Sequence, residues 1–404
     1  MLDNGKAEGV RKIKRFEKYC LKDIATVSQG FTFSRLYQGK KNLKWNYFKV
    51  ADIGLNPNSK YLTNAINTIS DITMEEIGAL PFPKGSIVFP RVGAALFNNN
   101  KKILAQDGVV DDNVLVLTVT DTSKCWHEFL YYYLQGIPLA KWCNSGLVPV
   151  INTKTVLSQM VFLPSLPEQQ KIATILSTQD KVIELKEKRL AQKQQQKKYL
   201  MQQLLTGKKR LPGFCEKWTR KQLGELFENR VEINRSDLGL LAITSTRGIL
   251  PRDCLDLKDN SSEDKSKYLR ICPGDIGYNT MRMWQGVSAY SEYEGIVSPA
   301  YTILAPMEGV YSHYFAYLFK TQSVIFSFYR FSQGLVDDTR NLKYENFKKI
   351  SVSIPSNVAE QRAIVQILST ADHEIDLLQK SIEAEKQKKK ALMQLLITGK
   401  VRRK

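Results

Sequence analysis

Two stretches of this chain are close copies of each other, and they decide how the chain is organised. Residues 168–208 read EQQKIATILSTQDKVIELKEKRLAQKQQQKKYLMQQLLTGK, and residues 360–400 read EQRAIVQILSTADHEIDLLQKSIEAEKQKKKALMQLLITGK. Without gaps, about half of the aligned positions match at an offset of 192 residues, which chance does not produce. The sequence therefore contains an internal duplication.

Shorter echoes precede each copy, in the same order and at offsets of 186 to 189 residues. The paired segments are 83–87 (PKGSI) with 272–276 (CPGDI), 108–110 with 295–297, 127–129 with 313–315, and 146–148 with 334–336. The chain thus reads globule, helix, globule, helix. Because the globular parts have diverged and the helical parts have not, the pattern indicates a common frame that carries two different specificities.

The globular parts combine strand and helix signals. Short apolar runs bounded by Gly, Pro and Asp predict strands at 86–90, 114–119 and 301–304. Aromatic-rich runs at 129–134 and 314–319 predict helices. The predicted fold class is α+β, with two homologous α/β globules that alternate with two long helices.

The repeated helical segments carry their own start and stop signals. Ser165 and Asn357 each stand three residues before a glutamate, which is the spacing of a capping box. A second start signal at Ser177 and Ser369 predicts a short helix ahead of each long one. The glycines expected to cap the helices in the left-handed conformation are Gly207 and Gly399.

A heptad of mostly apolar residues runs along both helices. Its seam residues are Ile183, Leu190, Lys197, Leu204, Ile375, Ile382, Lys389 and Leu396. A parallel pair would set Lys197 against Lys389 at a buried seam. A fully overlapping antiparallel pair instead lays each lysine stem over an apolar layer, Ile382 or Leu190, with its ammonium group in water. The pattern predicts an antiparallel intramolecular coiled coil with pseudo-twofold symmetry.

The formal net charge of +19 favours a polyanionic partner, either nucleic acid or an acidic membrane surface. More than half of this positive charge lies on the long helices. Three explanations fit: the charges face solvent on a coiled coil, they contact DNA, or they contact acidic partner subunits. No apolar run reaches membrane-spanning length, and residues 1–16 lack the apolar core of a secretion signal. A cytoplasmic protein without a membrane partner is expected. The six cysteines form no CxxC pair, which argues against a zinc site.

Both copies share a Glu-Gln start beside a proline or asparagine turn, an Ile/Leu-rich stretch, an aspartate and a Lys/Gln-rich helix ending in Thr-Gly-Lys. This duplicated pattern resembles the specificity subunit (HsdS) of type I restriction–modification enzymes. The resemblance covers essentially the whole chain. Residues 272–276 fit the Pro-Gly-Asp-Ile-like turn of that family, whereas 83–87 depart from it at Ser86.

The resemblance implies a division into four segments. They are target recognition domain 1 at 1–163, a central helical spacer at 164–209, target recognition domain 2 at 210–354, and a C-terminal helical region at 355–404. Each recognition domain would read one half of a bipartite, asymmetric site in double-stranded DNA across an unread spacer.

The resemblance also implies which partners supply the chemistry. Two methylation subunits (HsdM) would bind S-adenosylmethionine and modify adenine. Two restriction and motor subunits (HsdR) would use ATP and Mg²⁺ to translocate and cut unmodified DNA. This chain would bind no cofactor and would direct these subunits to the site.

The residues themselves point away from a catalytic or metal-binding role. An adenine methyltransferase motif of the Asn/Asp-Pro-Pro-Tyr/Phe type, a Gly-rich cofactor loop and a Walker lysine are all missing. The carboxylates of 111–112 or 337–338 would suit a nuclease, although acidic turns explain them as well. Alternatives that stay open are the specificity subunit of a methyltransferase-only or related type II bipartite-site system, and a coiled-coil scaffold. A scaffold would not need two diverged globules.

Base edges in DNA are read by Arg, Lys, Asn and Gln side chains, and the same types contact phosphates without reading sequence. Side chains of these types cluster around the repeated turns and upstream of them. The DNA-binding candidates are Lys40, Lys41, Lys44, Arg91, Asn98, Asn99, Asn100, Lys101, Lys102, Arg247, Arg252, Arg282 and Gln285.

Overall fold

The structure is a computed structural model that describes residues 16–55, 59–144, 146–244, 248–254 and 264–399. The chain forms two compact units. The first unit contains Met1–Lys188 and Gln379–Lys404, and the second contains Arg189–Leu378. Each unit therefore combines one globule with one end of both long helices, and the predicted domain boundaries remain predictions. Within the described ranges, no helix has the length and apolar character needed to cross a bilayer.

The globule of the first unit is built on short strands. They are β1 (Glu17–Cys20), β2 (Ala25–Gln29), β3 (Trp45–Phe48), β4 (Tyr61–Leu62), β5 (Asn67–Ile69), β6 (Ile87–Pro90), β7 (Lys102–Leu104), β8 (Val109–Val110), β9 (Val114–Val119) and β10 (Met160–Leu163). The sheets have the orders β2-β9-β6-β7-β4, β5-β3-β8 and β1-β10. The predicted strands at 86–90 and 114–119 are confirmed as β6 and β9.

Helices cover the sheets of the first unit. They are α1 (Val50–Gly54), α2 (Asp71–Glu76), α3 (His127–Gln135), α4 (Thr153–Leu157) and the long helix α5 (Leu166–Leu204), whose residues 166–188 belong to this unit. The core is continuous from the sheet to the long helices, because Phe89 of β6, Phe129 of α3 and Leu176 of α5 are all fully buried in one cluster. The predicted helix at 129–134 is confirmed as part of α3.

The second unit repeats this plan. Its strands are β11 (Thr219–Gln222), β12 (Phe227–Asn229), β13 (Leu241–Thr244), β14 (Gly248–Pro251), β15 (Leu269–Ile271), β16 (Ile276–Asn279), β17 (Ser288–Tyr290), β18 (Gly295–Val297), β19 (Tyr301–Pro306) and β20 (Ser351–Ile354). Its helices are α6 (Ser312–Leu318), α7 (Gln322–Phe331), α8 (Tyr344–Phe347) and the long helix α9 (Val358–Ile397), whose residues 358–378 belong to this unit. The sheets have the orders β12-β19-β16-β17, β13-β14, β15-β18 and β11-β20.

The duplication is visible in strand register. The first strand of each globule pairs antiparallel with the strand just before its long helix, with Glu17 opposite Leu163 and Thr219 opposite Ile354. The strand after each repeated turn, β6 or β16, pairs antiparallel with β9 or β19. The strands predicted at 114–119 and 301–304, now β9 and β19, therefore lie at equivalent places in the two sheets.

The repeated turn requires a left-handed glycine in both globules, because φ is 89° at Gly85 and 95° at Gly274. The residue after that glycine differs. In the second globule the buried carboxylate of Asp275 is held by Arg230, with Nε to Oδ2 2.8 Å and Nη2 to Oδ1 3.2 Å. In the first globule the Ser86 hydroxyl lies 2.9 Å from the hydroxyl of Thr118 instead. A neutral hydroxyl pair thus replaces a charged pair.

The first residue of each globular helix contacts the turn glycine. The His127 ring lies 3.3 Å from the place of a Cβ at Gly85, and the Ser312 hydroxyl donates a 2.5 Å hydrogen bond to the Gly274 carbonyl. His127 therefore corresponds to Ser312. The predicted match of His127 with His313 is wrong by one residue, because aligned letters do not record which residue begins the helix.

Each long helix is continuous from end to end. The predicted break at Ser177 and Ser369 is wrong, since both residues lie inside α5 or α9. Within the continuous helix, the Thr178 hydroxyl donates to the carbonyl of Thr174 at 2.8 Å and does not cap a new helix start. The predicted left-handed caps are confirmed: φ is 71° at Gly207 and 70° at Gly399.

The long helices pair antiparallel within each unit, as predicted. In the first unit Asp180 pairs with Lys389 and Glu187 with Lys386, so the partner number falls as the α5 number rises. In the second unit Lys193 pairs with Glu374 and Lys197 with Asp372 in the same sense. The buried seam residues are Ile183, Leu204, Ile382 and Leu396. Leu190 and Ile375 are partly buried.

The seam lysines do not lie over apolar layers as the heptad predicted. Lys389 Nζ lies 2.5 Å from Asp180 Oδ1, and Lys197 forms the equivalent ion pair with Asp372. The reason is the register, which brings each lysine opposite the aspartate near the start of the other helix. The structure thus corrects the environment of both lysines and keeps the predicted direction of pairing.

Each of these aspartates also anchors its globule to the long helices. Tyr132 of α3 donates a 2.6 Å hydrogen bond to Asp180 Oδ2, and Tyr317 of α6 donates a 2.8 Å bond to Asp372 Oδ2. Burial, followed by the nearby carboxylate, raises the pKa of both tyrosines. Each unit therefore holds a Lys–Asp–Tyr triad that joins the globule and both long helices.

Removing the triad acceptor of the first unit should destabilise it. Asp180→Ala leaves the buried Tyr132 hydroxyl and the Lys389 ammonium group without their carboxylate, so the free energy of unfolding should fall by about 1 to 3 kcal/mol. Glu184→Ala removes an exposed acid one turn further along α5 and should change it by less than about 0.5 kcal/mol. Urea unfolding of the full chain measures both. Equal effects of the two variants would contradict a structural role of the triad.

Candidate nucleic-acid interface

Solvent exposure divides the predicted DNA-binding residues. Those with exposed side chains are Lys40, Lys41, Lys44, Asn98, Arg282 and Gln285. Those with partly buried side chains are Arg91, Asn99, Asn100 and Arg252. Lys101 and Lys102 are buried, and Arg247 lies outside the described residues. The predicted set is therefore not one uniform surface.

The lysines ahead of β3 lie beside aromatic rings on the first globule. Lys44 Nζ lies 2.8 Å from Asp71 Oδ1 and 5.1 Å from the centroid of the Trp45 ring. Lys40 Nζ lies 5.5 Å from the ring of Tyr37. Hydrogen bonds from Lys44 and then Trp45 lower the pKa of Asp71, which therefore stays charged. Because Lys44 already has an anionic partner, Lys40 is the better placed of the two to meet a phosphate.

Arg91 stands directly after β6, at the end of a central strand. Its Nη1 donates to Gln29 Oε1 at 3.1 Å, and its Nε is enclosed without a hydrogen-bond partner among the described residues. A guanidinium group presents a rigid fork of donors that matches a guanine edge or a phosphate. The sheet therefore holds an arginine with unused donor capacity at this strand end.

The second globule presents its candidates on a short turn after β16. The side chain of Met283 is fully buried and anchors the one-turn helix Met283–Gln285 to the globule. Gly286, with a φ of 79°, ends this helix. Arg282 and Gln285 are both exposed on this turn. Because β6 and β16 are equivalent strands, Arg91 and this turn occupy corresponding ends of the two sheets.

Lys101 and Lys102 serve the interior of the first globule, so we remove them from the candidate DNA surface. Each is 2% exposed. The Lys101 ammonium group donates to Asn99 Oδ1 at 2.6 Å and to the Ile137 carbonyl at 2.9 Å, and Lys102 donates to the Ser59 carbonyl. Burial lowers the pKa of Lys101 to about 7 and that of Lys102 to about 8. Their side chains could not reach a DNA phosphate without leaving these acceptors.

The lowered pKa of Lys101 predicts that stability rises with pH. Between about pH 7 and the ordinary lysine value of 10.5, the unfolded chain binds a proton that the folded chain has released. The free energy of unfolding should therefore increase by about 2 kcal/mol from pH 7 to pH 9 through this residue. Lys101→Met should lose that increment, and Lys154→Met, at an exposed site, should keep it. Urea midpoints at both pH values test this; identical slopes in the two variants would contradict it.

A repeated tripeptide is the feature that the predicted set missed. Gly-Leu-Val occurs at 146–148 and 334–336, and its leucines, Leu147 and Leu335, are 108% and 99% exposed. The signal was present in the sequence, because an identical apolar tripeptide survives in globules that otherwise diverged. With the neighbouring Val148 and Val336, which are 57% and 58% exposed, they form an exposed apolar pair at equivalent places of the two globules.

The carboxylates considered for a nuclease serve as turn acceptors. Asp111 Oδ1 accepts from the backbone N–H of Asn113 at 3.0 Å, and Asp112 Oδ2 accepts from the Thr32 hydroxyl at 3.1 Å. Asp337 accepts a hydrogen bond from Arg340 at 3.4 Å, while the side chain of Asp338 lies outside the described residues. Among the residues that the structure describes, no group of three or more His, Cys, Asp or Glu is arranged to hold a metal ion.

Sequence comparison connects this geometry with known proteins. The family model of the type I restriction modification DNA specificity domain matches residues 13–195 and 265–386, well over half of the chain. The specificity subunit of the type I restriction enzyme MjaVIII from Methanocaldococcus jannaschii is 35% identical over 94 residues. That stretch amounts to 22% of this chain and 22% of the relative's length.

Solved structures share the fold over almost the whole chain. The S subunit of a type I restriction–modification system from M. genitalium superimposes with a TM-score of 0.59 at 15% identity, covering 96% of this chain and 98% of that chain. A chain from a structure on complex assembly and conformational transition of the type I R-M system gives a TM-score of 0.56 at 12% identity, covering 95% and 97%. With its duplicated frame and both matched regions, this chain belongs to the family of type I restriction–modification DNA specificity subunits.

Proposed function

We propose that this chain selects the DNA site of a type I restriction–modification complex, and that each globule reads one half of a bipartite, asymmetric sequence. The observation that carries the proposal is the contrast between frame and surface. The strand registers, turn glycines and Lys–Asp–Tyr triads are duplicated, whereas the side chains after β6 and β16 differ. A duplicated frame with different reading side chains suits an asymmetric site with two unlike halves.

The partner subunits would perform the chemistry. Two methylation subunits would bind S-adenosylmethionine and modify adenine in the selected site, and two restriction subunits would use ATP and Mg²⁺ on unmodified DNA. This chain would contribute no catalytic group. The carboxylates considered for a nuclease in the first globule, Asp111 and Asp112, accept hydrogen bonds within that globule.

The candidate reading groups are the exposed and half-buried side chains at corresponding sheet ends. In the first globule Arg91 would contact a base edge or phosphate, with Lys40, Lys41 and Asn98 contacting the backbone. In the second, Arg282 and Gln285 project from a turn that Met283 anchors. Arg and Gln offer the donors that pair with guanine and adenine edges in the major groove.

Binding of DNA by the assembled methylation complex tests this function. For the cognate duplex, Arg282→Ala should weaken binding by about 10- to 100-fold and relax specificity at one position of one half-site. Arg330→Ala removes an exposed arginine of the same globule outside the candidate set and should leave specificity unchanged. A salt series separates the sequence-independent charge contribution, which falls equally in both variants. Equal affinity of the complex for cognate and scrambled duplexes would overturn the proposal.

A further inference from the structure

A polar cavity of about 210 Å³ lies in the first unit, where the globule meets the long helices. It opens beside the start of β7 and extends to α5 and α9. Of the described residues that line it, the charged ones are Lys60, Lys101, Lys102, Lys386, Lys389 and Asp180. A space of this size is several times larger than the volume of one water molecule, which is about 30 Å³ in the liquid. The cavity is thus large enough for a small solute.

The lysines that line this cavity are fixed before any ligand arrives. Lys60 is 7% exposed, and its ammonium group lies 3.0 Å from the Ser177 hydroxyl and 3.3 Å from Glu128 Oε1. The ammonium groups of Lys101 and Lys102 are held by the amide and carbonyl oxygens described above. Their position therefore costs little further conformational entropy when an anion binds.

The cavity gathers more positive than negative charge. Lys60, Lys386 and Lys389 each have a carboxylate partner. These partners are Glu128 at 3.3 Å, Glu187 at 2.8 Å and Asp180 at 2.5 Å. The acceptors described for Lys101 are uncharged. Desolvation lowers the pKa of Lys102, and the charge of Lys389 lowers it further, as expected where cations are crowded. Because burial lowers the pKa of Lys101 to about 7, an anion that binds beside it would favour its protonated form.

The equivalent cavity of the second unit lacks this excess. The strand registers pair Val88 with Lys102 in β7 and Gly277 with Ala289 in β17, so Ala289 stands where Lys102 does. By the same register, Ser288 replaces Lys101. That cavity is lined by one lysine, Lys320, together with acidic residues such as Asp372, among the residues described. The lysine cluster is therefore not a by-product of the shared fold.

The long helices diverge at the same place. Lys386 of α9 lines the first cavity, and the position 192 residues earlier in the other copy is Gln194. The copies match at Lys389 and Lys197 but not here. The cavity of the first unit therefore has more lysines than its equivalent in the second unit. Some of these extra lysines lie in the globule, and one lies on the long helix α9.

We propose that this cavity is a binding site for a small phosphate-bearing anion, such as inorganic phosphate or the phosphate of a nucleotide. Lysine ammonium groups bind phosphate oxygens as point charges. The amide side chains of Asn100 and Gln135, which also line the cavity, supply neutral polar groups. Lys101 and Lys102 line the wall of the cavity but are only 2% exposed, so a DNA duplex does not reach them. The inference does not depend on the proposed function.

Titration of the full chain with sodium phosphate tests the site directly. Calorimetry and thermal unfolding are run with sodium chloride added to keep the ionic strength constant. We expect saturable binding at one site per chain and a rise in the unfolding temperature that chloride alone does not give. No saturable binding, or an equal effect of chloride, would overturn the proposal.

Two helix variants locate the binding in the cavity. Lys386→Gln installs the residue type of the other copy and should weaken phosphate binding by about tenfold. Lys390→Gln makes the same charge change at an exposed position of the same helix that does not line the cavity, and it should change affinity by less than about twofold. Equal losses in both variants would show only diffuse attraction and would overturn the site.

A third variant and a competitor complete the test. Lys101→Ser with Lys102→Ala copies the second unit and should abolish the phosphate-dependent stabilisation while the circular dichroism spectrum stays that of the parent. Phosphate titration is repeated with a saturating DNA duplex. Unchanged phosphate affinity supports a site for a small anion, whereas displacement of phosphate by the duplex would assign the cavity to the DNA backbone and overturn the proposal.

Discussion

Arg230→Met is expected to lower the free energy of unfolding of the second unit by about 3 to 5 kcal/mol. The reason is the environment of Asp275, which is 1% exposed and whose carboxylate receives both Nε and Nη2 of Arg230. Removing the arginine leaves a buried carboxylate whose remaining described bond is to the backbone N–H of Cys272 at 2.8 Å. Urea unfolding of the full chain, followed by tryptophan fluorescence, measures the loss.

The first globule supplies the matched control for this prediction. Its turn has Ser86 in place of Asp275, and Ser28 stands at the register position of Arg230. The double variant Arg230→Ser with Asp275→Ser should therefore recover most of the stability that Arg230→Met loses, since no buried charge remains. A double variant as unstable as the single one would show that the ion pair is not the reason for the loss.

Replacing residues 212–350 with the equivalent region of another specificity subunit should exchange one half of the modified DNA motif completely. The first unit keeps its own core, its own triad and its own end of both helices, so its reading side chains are untouched. Adenine-methylation mapping of the hybrid complex should show one new half-site and one unchanged half-site.

The reciprocal hybrid, in which the globule that precedes α5 is exchanged, is the control for a general loss of folding or assembly. It should change only the other half of the modified DNA motif. Loss of all methylation in both hybrids would reflect failed assembly. Gel filtration of the complex detects failed assembly. The result that would contradict the prediction is a folded, assembled hybrid in which both halves of the motif change. Such a hybrid would argue for one composite recognition surface.

The duplicated sequence predicted the frame well because backbone geometry leaves strong local signals. The glycine in 83–87 and in 272–276 adopts the left-handed conformation, and the glycine after each long helix does the same. The lysines of the heptad seam, which would face each other in a parallel pair, also predicted the antiparallel pairing, and the ion pairs within each unit confirm it. These features depend on residues near one another in the chain or on a repeat that could be aligned.

The environments of lysines were predicted less well, because they depend on contacts between distant segments. In the sequence, Lys101 and Lys102 look like exposed surface charges. In the structure they are buried, and their ammonium groups donate hydrogen bonds to the carbonyl oxygens of Ile137 and Ser59. Lys197 and Lys389 were expected over the apolar layers of Ile382 and Leu190. The helix register differs from that expectation by ten residues (382 − 372 and 190 − 180), which places the lysines beside Asp372 and Asp180 instead. A sequence pattern shows that a lysine is present but not which oxygen lies opposite.

Adenine-methylation mapping of total DNA, from cells that carry this gene and from cells that lack it, tests the central claim most directly. If each globule reads one half-site, methylation should disappear from a single asymmetric motif made of two short, unlike sequences separated by a spacer of fixed length in which any base is accepted. Loss of methylation from one continuous or palindromic motif, or an unchanged methylation pattern in cells with active partner subunits, would contradict the account.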